Sequence, residues 1–544
     1  MITDPLEEIK SASNPLITQK RIAGAAAIMM AAILASRLLG LIRTSVVADI
    51  LGQRFQADVY NAAFMIPNLL FFLIAGGALS SAFIPVFAEY ISTDREEDAW
   101  RIFSTVACVM TAVVSLFIIL GWIFTGPLIK LVNFGYSPEK VAATVPLTRI
   151  LLPAQLCFFL GGLLMGTQNA RQRFLIPALG PIIYNFSTIV GGILLARRLG
   201  PAGFCWGALF GAIVGNLALQ LWATRRLGMR FFPSLDFRHP GVVKVWKLML
   251  PVILGLALPQ VSIIINGMFA SDLGNGPQSA LVNANRLMQF PLGVFAQAMA
   301  VAIFPTLAIQ AATGKLAELR RTASLGIRSI LFLTIPSSLW MMILATPIVQ
   351  IILQHGRFTA ADSRMTVIAM DFYSIGIFAW SAQAVLARGF YALQDSITPV
   401  VIGTVATIIF IPLNWIFMVN LHLEYGGLAL ATSLGAIMNM VALFWVLRRR
   451  LNGLESGQVL VSSVKILVAT AVSSVACLFV RNITMGHLAS HSTKGLKIEA
   501  TTTLFLSAAA AVAVYLIMAW LLRMKELETV KSALRRRKAV AAAP

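Results

Sequence analysis

The stretch from Ile102 to Phe124, IFSTVACVMTAVVSLFIILGWIF, contains no charged residue and no proline. At 1.5 Å per residue it spans roughly 35 Å as a helix, enough to cross the roughly 30 Å hydrocarbon core of a bilayer. A transmembrane β-strand alternates apolar and polar residues over only about ten positions, so an unbroken apolar run of this length excludes a barrel. Thirteen further stretches of similar character flank it, and the reading is an all-α polytopic membrane protein of about 14 transmembrane helices. The whole chain agrees: 544 residues, 58% hydrophobic and 12% charged, with a mean hydropathy of +0.82. No soluble core needs that much apolar material.

Residues 1–21 are polar, with Asp4, Glu7, Glu8 and Lys10, and show no short apolar core followed by a small-residue cleavage site. The formal charge is +21. In a soluble protein that would point to nucleic acid. Here Lys and Arg fall roughly three to one on the side holding the amino terminus, which places both termini in the cytoplasm and assigns Arg448-Arg449-Arg450 and Arg535-Arg536-Arg537-Lys538 to topology and anionic-lipid contact. Cys108, Cys157, Cys205 and Cys477 are scattered singly and read as small core residues, and the five histidines have no metal-ligand spacing. No metal and no cofactor are expected. No Walker loop, HExxH or nucleophile elbow is present, so the chain does not read as an enzyme.

An offset of about 222 residues brings the chain into register with itself. Asn169-Ala170-Arg171-Gln172 with Pro177 matches Tyr391-Ala392-Leu393-Gln394 with Pro399. Gly211-Ala212-Ile213, Asn216, Trp222 and Arg225-Arg226 match Gly435-Ala436-Ile437, Asn439, Trp445 and Arg448-Arg449. Six helices per copy is an even number, so two six-helix lobes related by a pseudo-two-fold are expected, followed by two C-terminal helices without counterpart. The divisions read as a cytoplasmic tail over 1–21, an N-lobe over 22–228 and a basic linker over 229–247. A C-lobe over 248–450, helices thirteen and fourteen over 451–523 and a basic tail over 524–544 complete them.

Five arginines fall inside apolar segments: Arg37, Arg43, Arg149, Arg286 and Arg388. Each costs roughly 2.5–3.5 kcal/mol at the bilayer centre unless neutralised. Acidic residues at similar depth are fewer, namely Asp58, Glu89 and Asp371, so a wet cavity accepting an anion is the simplest compensation. The planar guanidinium fork suits phosphate or pyrophosphate. Arg37 and Arg43 lie about 120° apart on an ideal helix, and Gly40 between them is a candidate bend; Gly76 and Gly77 are further hinge candidates. Arg286 stands in a polar run with Asn285 and Gln289. For Arg149 and Arg388, nearer helix ends, a structural role is equally expected.

Ser36-Arg37-x-Leu39-Gly40-x-x-Arg43, then Asp58, Ala63-Phe64, Pro67-Asn68, Gly77-Ala78, Ala82-Phe83-x-Pro85 and Glu89, resembles the MurJ/MviN family of lipid II flippases, within the MOP superfamily. Arg286-Leu287-Met288-x-Phe290-Pro291-x-Gly293-Val294, Gly356-x-Phe358-Thr359 and Gly389-Phe390-Tyr391-x-x-Gln394-Asp395-x-x-Thr398-Pro399 extend the likeness over roughly 22–450. The resemblance implies an inner-membrane flippase that moves an undecaprenyl-pyrophosphate-linked glycan by alternating access. It also implies a lipid-tail groove at the last two helices, with cell-wall synthesis and division proteins as partners. It makes Arg37, Arg43 and Arg286 head-group ligands and Asp58 an acidic residue near the outer gate, with Asn285 and Gln289 beside the site.

The sequence departs from the family pattern where an arginine pair and a glutamate usually stand, at Phe71-Phe72 and Gly76. Asn266, Asn414 and Thr432 occupy places suited to a cation, but Met418 stands where a carboxylate would help, so no ion site is assigned. Rival readings are an exporter of another lipid-linked oligosaccharide or small molecule, a glycosyltransferase acting on the same lipid, and a non-transporting scaffold.

Overall fold

The computed structural model describes residues 15–74, 78–487 and 493–528, with side chains over 31–72, 82–249, 261–485 and 495–528. Its elements are helices α1 (Pro15–Leu51), α2 (Phe55–Ala63), α3 (Met65–Ile74), α4 (Ala78–Ser92), α5 (Glu96–Ile123), α6 (Thr125–Val132) and α7 (Pro138–Leu151). Next come α8 (Ala154–Ala170), α9 (Leu175–Leu199), α10 (Ala202–Gly211), α11 (Leu219–Arg226), α12 (Pro240–Ala270), α13 (Pro277–Pro291), α14 (Gln297–Ala312) and α15 (Leu316–Ile343). The chain continues through α16 (Ala345–Ile352), α17 (Ala360–Ser374), α18 (Ile377–Ala392), α19 (Ile397–Trp415), α20 (Glu424–Arg450), α21 (Ser456–His487) and α22 (Thr493–Leu521). No strand occurs among the described residues. Among the described residues, eleven helical stretches are long and apolar enough to cross a membrane, twelve when α17 and α18, bent by 42°, count as one span. The two other expected spans, 58–92 and 240–272, are also helical, as α2–α4 and α12, and contain residues outside those described.

Proline sets several breaks. Its ring lacks an N–H and clashes with the carbonyl four residues back. Pro67 accordingly follows a break after Ala63, Pro127 one after Ile123 and Pro347 one after Ile343. The last two are copies of one device: α5 and α15 are each 28 residues long, and α6 and α16 are each 8. The turn matched by sequence is duplicated in backbone detail. Gln172 and Gln394 take left-handed φ of 58° and 59°. Each is followed by the same reverse bond, Arg173 N to Gln168 O at 2.9 Å and Asp395 N to Phe390 O at 3.0 Å.

The chain forms two compact units. The first contains residues up to Ile50, Val59–Val132 and Ser137–Gln260. Its core is aromatic, with Phe83, Phe87, Trp100, Phe103 and Phe159 packed on Val242 and Val245. Within it α9 and α10 approach so closely that a Cβ on Gly191 would stand 2.5 Å from Gly207 Cα, the small-residue contact favoured where lipid supplies no hydrophobic drive. Gly161 is a second close approach: a Cβ there would strike the Asn216 backbone, in the π-helical turn Ala212–Ala218. The second unit contains Leu51–Asp58, Asn133–Tyr136 and everything from Val261 onward. Its core joins Leu319, Ile327, Phe332, Val385, Phe390 and Leu447 to Tyr515 of α22.

Three sequence boundaries shift. Helix α12 starts at Pro240, inside the stretch read as a 229–247 linker, because Pro240 pre-forms a first turn and Val242 and Val245 bury in the first unit's core. The division between units by contacts falls after Gln260, within α12. The tail expected from 524 begins with a buried turn, Met524 and Leu527 being 4% and 8% exposed. Helices α21 and α22 pack on α15 of the second unit, where Tyr515 Oη donates to Phe332 O at 2.7 Å and Trp340 Nε1 to Ser473 Oγ at 3.3 Å.

Candidate functional site

In the first unit, Arg37 and Arg43 are both half-buried on α1, within the membrane-spanning part Ala31–Leu51. Arg37 has no hydrogen-bond or ion-pair partner among the described residues. Gly40 lies in open space on an unbroken helix, and Thr44 Oγ1 returns a bond to its carbonyl at 3.0 Å. Beside Arg37, Asn185 Nδ2 of α9 donates to Ser36 O and Ser36 Oγ at 3.3 and 3.4 Å, tying α9 to α1 at this level. Arg43 lies over the Tyr184 ring, 5.9 Å from its centroid.

That ring ends a run that sequence reading missed. Tyr184 packs edge-on against Phe158 at 5.3 Å, Phe158 against Phe71 at 5.4 Å, and Phe71 against Phe72 at 5.3 Å. Phe71 and Phe72 thus extend an aromatic wall to the guanidinium of Arg43. Edge-to-face pairs of this kind contribute about 0.5–1.5 kcal/mol each beyond area burial. The pair Phe71-Phe72 was visible in the sequence; its partners, one on α8 and one on α9, were not.

In the second unit, α13 carries Arg286, half-buried, with Asn285 and the exposed Gln289, whose Nε2 donates to Asn285 Oδ1 at 2.5 Å. The start of this helix has no side-chain cap of its own, because Gly276 precedes Pro277. Asp58 supplies one from far away in the chain: its Oδ2 accepts from Gly276 N at 2.8 Å, and its Oδ1 from Ser279 N at 3.0 Å and Ser279 Oγ at 2.6 Å. Asp58 is 0% exposed. A carboxylate at a helix N-terminus satisfies orphan N–H donors and the positive end of the dipole together. Here it therefore holds the helix bearing Arg286 and is closed to solvent.

The segments around it form one polar knot. Gln53, 0% exposed, donates to Asp362 O at 3.0 Å and accepts from Asn283 Nδ2 at 3.2 Å and Thr366 Oγ1 at 2.6 Å. Tyr136 Oη donates to Gln278 Oε1, and Gln278 Nε2 donates to Asn133 Oδ1 at 2.8 Å. Burial, with the Asp58 carboxylate close by, pushes the Tyr136 hydroxyl well above its ordinary range, so it stays a donor. Loop residues Gln53, Asn133 and Tyr136 carry no periodic signal that would have marked them.

The remaining arginines have local partners. Arg149 Nε donates to Trp122 O at 3.1 Å while its guanidinium stacks on the Trp122 ring at 4.4 Å. Arg388 lies between Phe304 at 5.3 Å and Tyr391 at 5.9 Å. Glu89 pairs with Lys244 at 2.6 Å. Gly76 and Gly77 lie outside the described residues. Asn266 Nδ2 donates to Thr432 Oγ1 at 2.8 Å, and Asn414 is fully buried with neither side-chain atom partnered. Among the described residues no group of three or more His, Cys, Asp or Glu is placed to hold a metal.

Residues 47–498 match the family model described as lipid II flippase MurJ. The chain belongs to that family. A probable lipid II flippase MurJ of Vibrio cholerae is 31% identical over 436 residues, 78% of this chain and 82% of that protein. One from Buchnera aphidicola subsp. Acyrthosiphon pisum is 30% identical, with 75% and 80% covered, and the lipid II flippase MurJ of Burkholderia cenocepacia is 30% identical, with 77% and 82% covered. In fold the chain is similar to a lipid II flippase MurJ in an inward closed conformation, with a TM-score of 0.75 at 24% identity, covering 91% of this chain and 98% of that one. An inward-facing MATE multidrug transporter of the MOP superfamily aligns at a TM-score of 0.65 and 15% identity over 77% of this chain and 96% of its own. The protein is a multi-pass membrane protein with a MurJ/MATE-type helical fold.

Proposed function

We propose that the protein is a flippase that carries lipid II, an undecaprenyl-pyrophosphate-linked peptidoglycan precursor, across the inner membrane by alternating access. It acts as a transporter, with no covalent chemistry on its cargo. Membership in the flippase family and curated relatives at about 30% identity over most of the chain support the cargo. The observation that carries the site is Arg37: a half-buried guanidinium on a membrane-spanning helix with no hydrogen-bond or ion-pair partner among the described residues. Such a cation is too costly to keep at membrane depth without an anion to receive.

Arg37, Arg43 and Arg286 would take the pyrophosphate oxygens. Asn285 and Gln289 would hydrogen-bond the sugar or phosphate, and Asp58 would act through α13 by capping it. The aromatic wall from Phe72 to Tyr184 offers an apolar face to the sugars and backs Arg43. Both termini would lie in the cytoplasm, and the groove beside α21 and α22 would receive part of the polyprenyl tail. Gly40, Gly76 and Gly77 would serve as hinges.

Complementation tests this reading. Cells depleted of their own flippase and given this chain should grow. Arg37→Ala, Arg43→Ala and Arg286→Ala should each fail at equal membrane abundance. Rescue that ignores all three substitutions would refute the site, and failure of the intact chain would refute the cargo.

A further inference from the structure

Helix α22 ends at Leu521, and the chain turns through Arg523, at φ of 50°, back between α15 and α21. Lys465 Nζ on α21 donates to the Leu522 carbonyl at 2.8 Å. Past the turn, Met524 and Leu527 join the buried core of the second unit. Between them Glu526, its side chain 3% exposed, faces Arg328 of α15, 10% exposed. A single carboxylate oxygen, Oε1, accepts from Arg328 Nη1 at 3.3 Å and from Ser462 Oγ of α21 at 2.9 Å. Arg328 Nε is buried with no partner.

Two helices thus bring one guanidinium nitrogen and a hydroxyl onto one oxygen, with a lysine ammonium three residues beyond the serine. As a fastening this is a poor design. A buried ion pair gains little over apolar residues of the same shape, because desolvating two ions nearly cancels their attraction. As an oxyanion receptor it is a good one, since the fork matches phosphate and Glu526 leaves one of its donors unused. The depth fits as well. Ser462 lies about 9 Å along α21 from its first residue, near the boundary of headgroups and hydrocarbon.

We propose that Arg328, Ser462 and Lys465 form a phosphate site for an anionic membrane lipid, and that residues 522–528 are a built-in plug whose Glu526 carboxylate stands where that phosphate binds. Entry of the lipid withdraws the plug and loosens α21 and α22 from α15. The lipid content of the membrane thereby controls how firmly the C-terminal helix pair is held. Nothing in this depends on the cargo assigned above.

The full chain in nanodiscs tests it through stability and exchange, without transport. In phosphatidylcholine discs Glu526→Gln should melt below the unsubstituted protein, because Arg328 is left buried and unpaired. Phosphatidylglycerol discs should restore at least half of that loss, whereas inorganic phosphate added to phosphatidylcholine discs should restore none. Arg328→Met combined with Glu526→Leu removes both charges and should gain nothing from phosphatidylglycerol beyond the gain of the unsubstituted protein. In the unsubstituted protein, amide exchange over 522–528 should be faster in phosphatidylglycerol than in phosphatidylcholine. Equal exchange in the two lipids, or a Glu526→Gln deficit unchanged by phosphatidylglycerol, would overturn the proposal. Recovery with inorganic phosphate alone would assign the site to a soluble anion and overturn the lipid.

Discussion

Replacing Asp58 with alanine tests whether this carboxylate holds α13 or touches cargo. Three donors converge on it, Gly276 N, Ser279 N and Ser279 Oγ, and the residue is fully buried. Losing a helix cap costs about 1–2 kcal/mol, and each buried donor left unpaired adds about 1–3 kcal/mol unless it finds another acceptor. The Ser279 hydroxyl can rotate to a backbone carbonyl, so two orphaned amides remain and the total is on the order of 4 kcal/mol. At about 1.4 kcal/mol per power of ten, the amides of Gly276 and Ser279 should exchange two to three powers of ten faster. Hydrogen exchange read by mass spectrometry over peptides covering 276–283 measures this, with peptides from α5 as an internal standard. Asp58→Asn keeps one acceptor but turns an N–H₂ toward a backbone N–H, so it should recover less than half of the protection. Unchanged exchange in Asp58→Ala together with lost transport would refute the capping role and make Asp58 a cargo contact.

Gly191→Val should prevent α9 and α10 from closing, a strain of at least 1–3 kcal/mol read as a lower melting temperature and a lower yield of folded protein. Tyr184→Leu removes the ring beneath Arg43 and should lower flipping several-fold with little change in melting, a loss of about 0.5–2 kcal/mol of cation–π support. Asp395 accepts from Thr398 N at 3.0 Å and Thr398 Oγ1 at 2.6 Å and pairs with Arg450 at 2.7 Å. Burial raises its pKa, but the Thr398 bonds and Arg450 outweigh this and hold it below the ordinary 3.8. Its contribution is therefore present in full above pH 3.8 and fades as pH falls through the depressed value. The melting deficit of Asp395→Asn should be constant from about pH 7 to 5 and narrow only below pH 4.

What repeats along the chain was readable. Long apolar runs gave the helices, and the matched Gln172 and Gln394 turns reappear with the same left-handed backbone. What depends on distant partners was not. Asp58 read as an acidic residue near the outer gate, and its bonds to the bare N-terminus of α13, more than two hundred residues on, left no trace in the sequence. Phe71-Phe72 registered as missing arginines, whereas its meaning lies in Phe158 and Tyr184. The buried turn after α22 was invisible because Glu526 sits among the charges of a basic tail, and only its neighbours on α15 and α21 distinguish it. For Arg149 and Arg388 the sequence left a cavity role and a structural role equally open, and the rings of Trp122, Phe304 and Tyr391 that lie against them carry no mark in it.

Flipping of lipid II in proteoliposomes tests the central claim most directly, with Arg37→Ala, Arg43→Ala and Arg286→Ala alongside the unsubstituted chain and each protein's melting temperature measured in the same preparation. The expected result is headgroup exposure on the far leaflet for the unsubstituted chain, and a loss of at least tenfold in each variant without loss of folding. Translocation that proceeds at an unaltered rate in all three variants, or is absent from the intact chain in folded form, would contradict it.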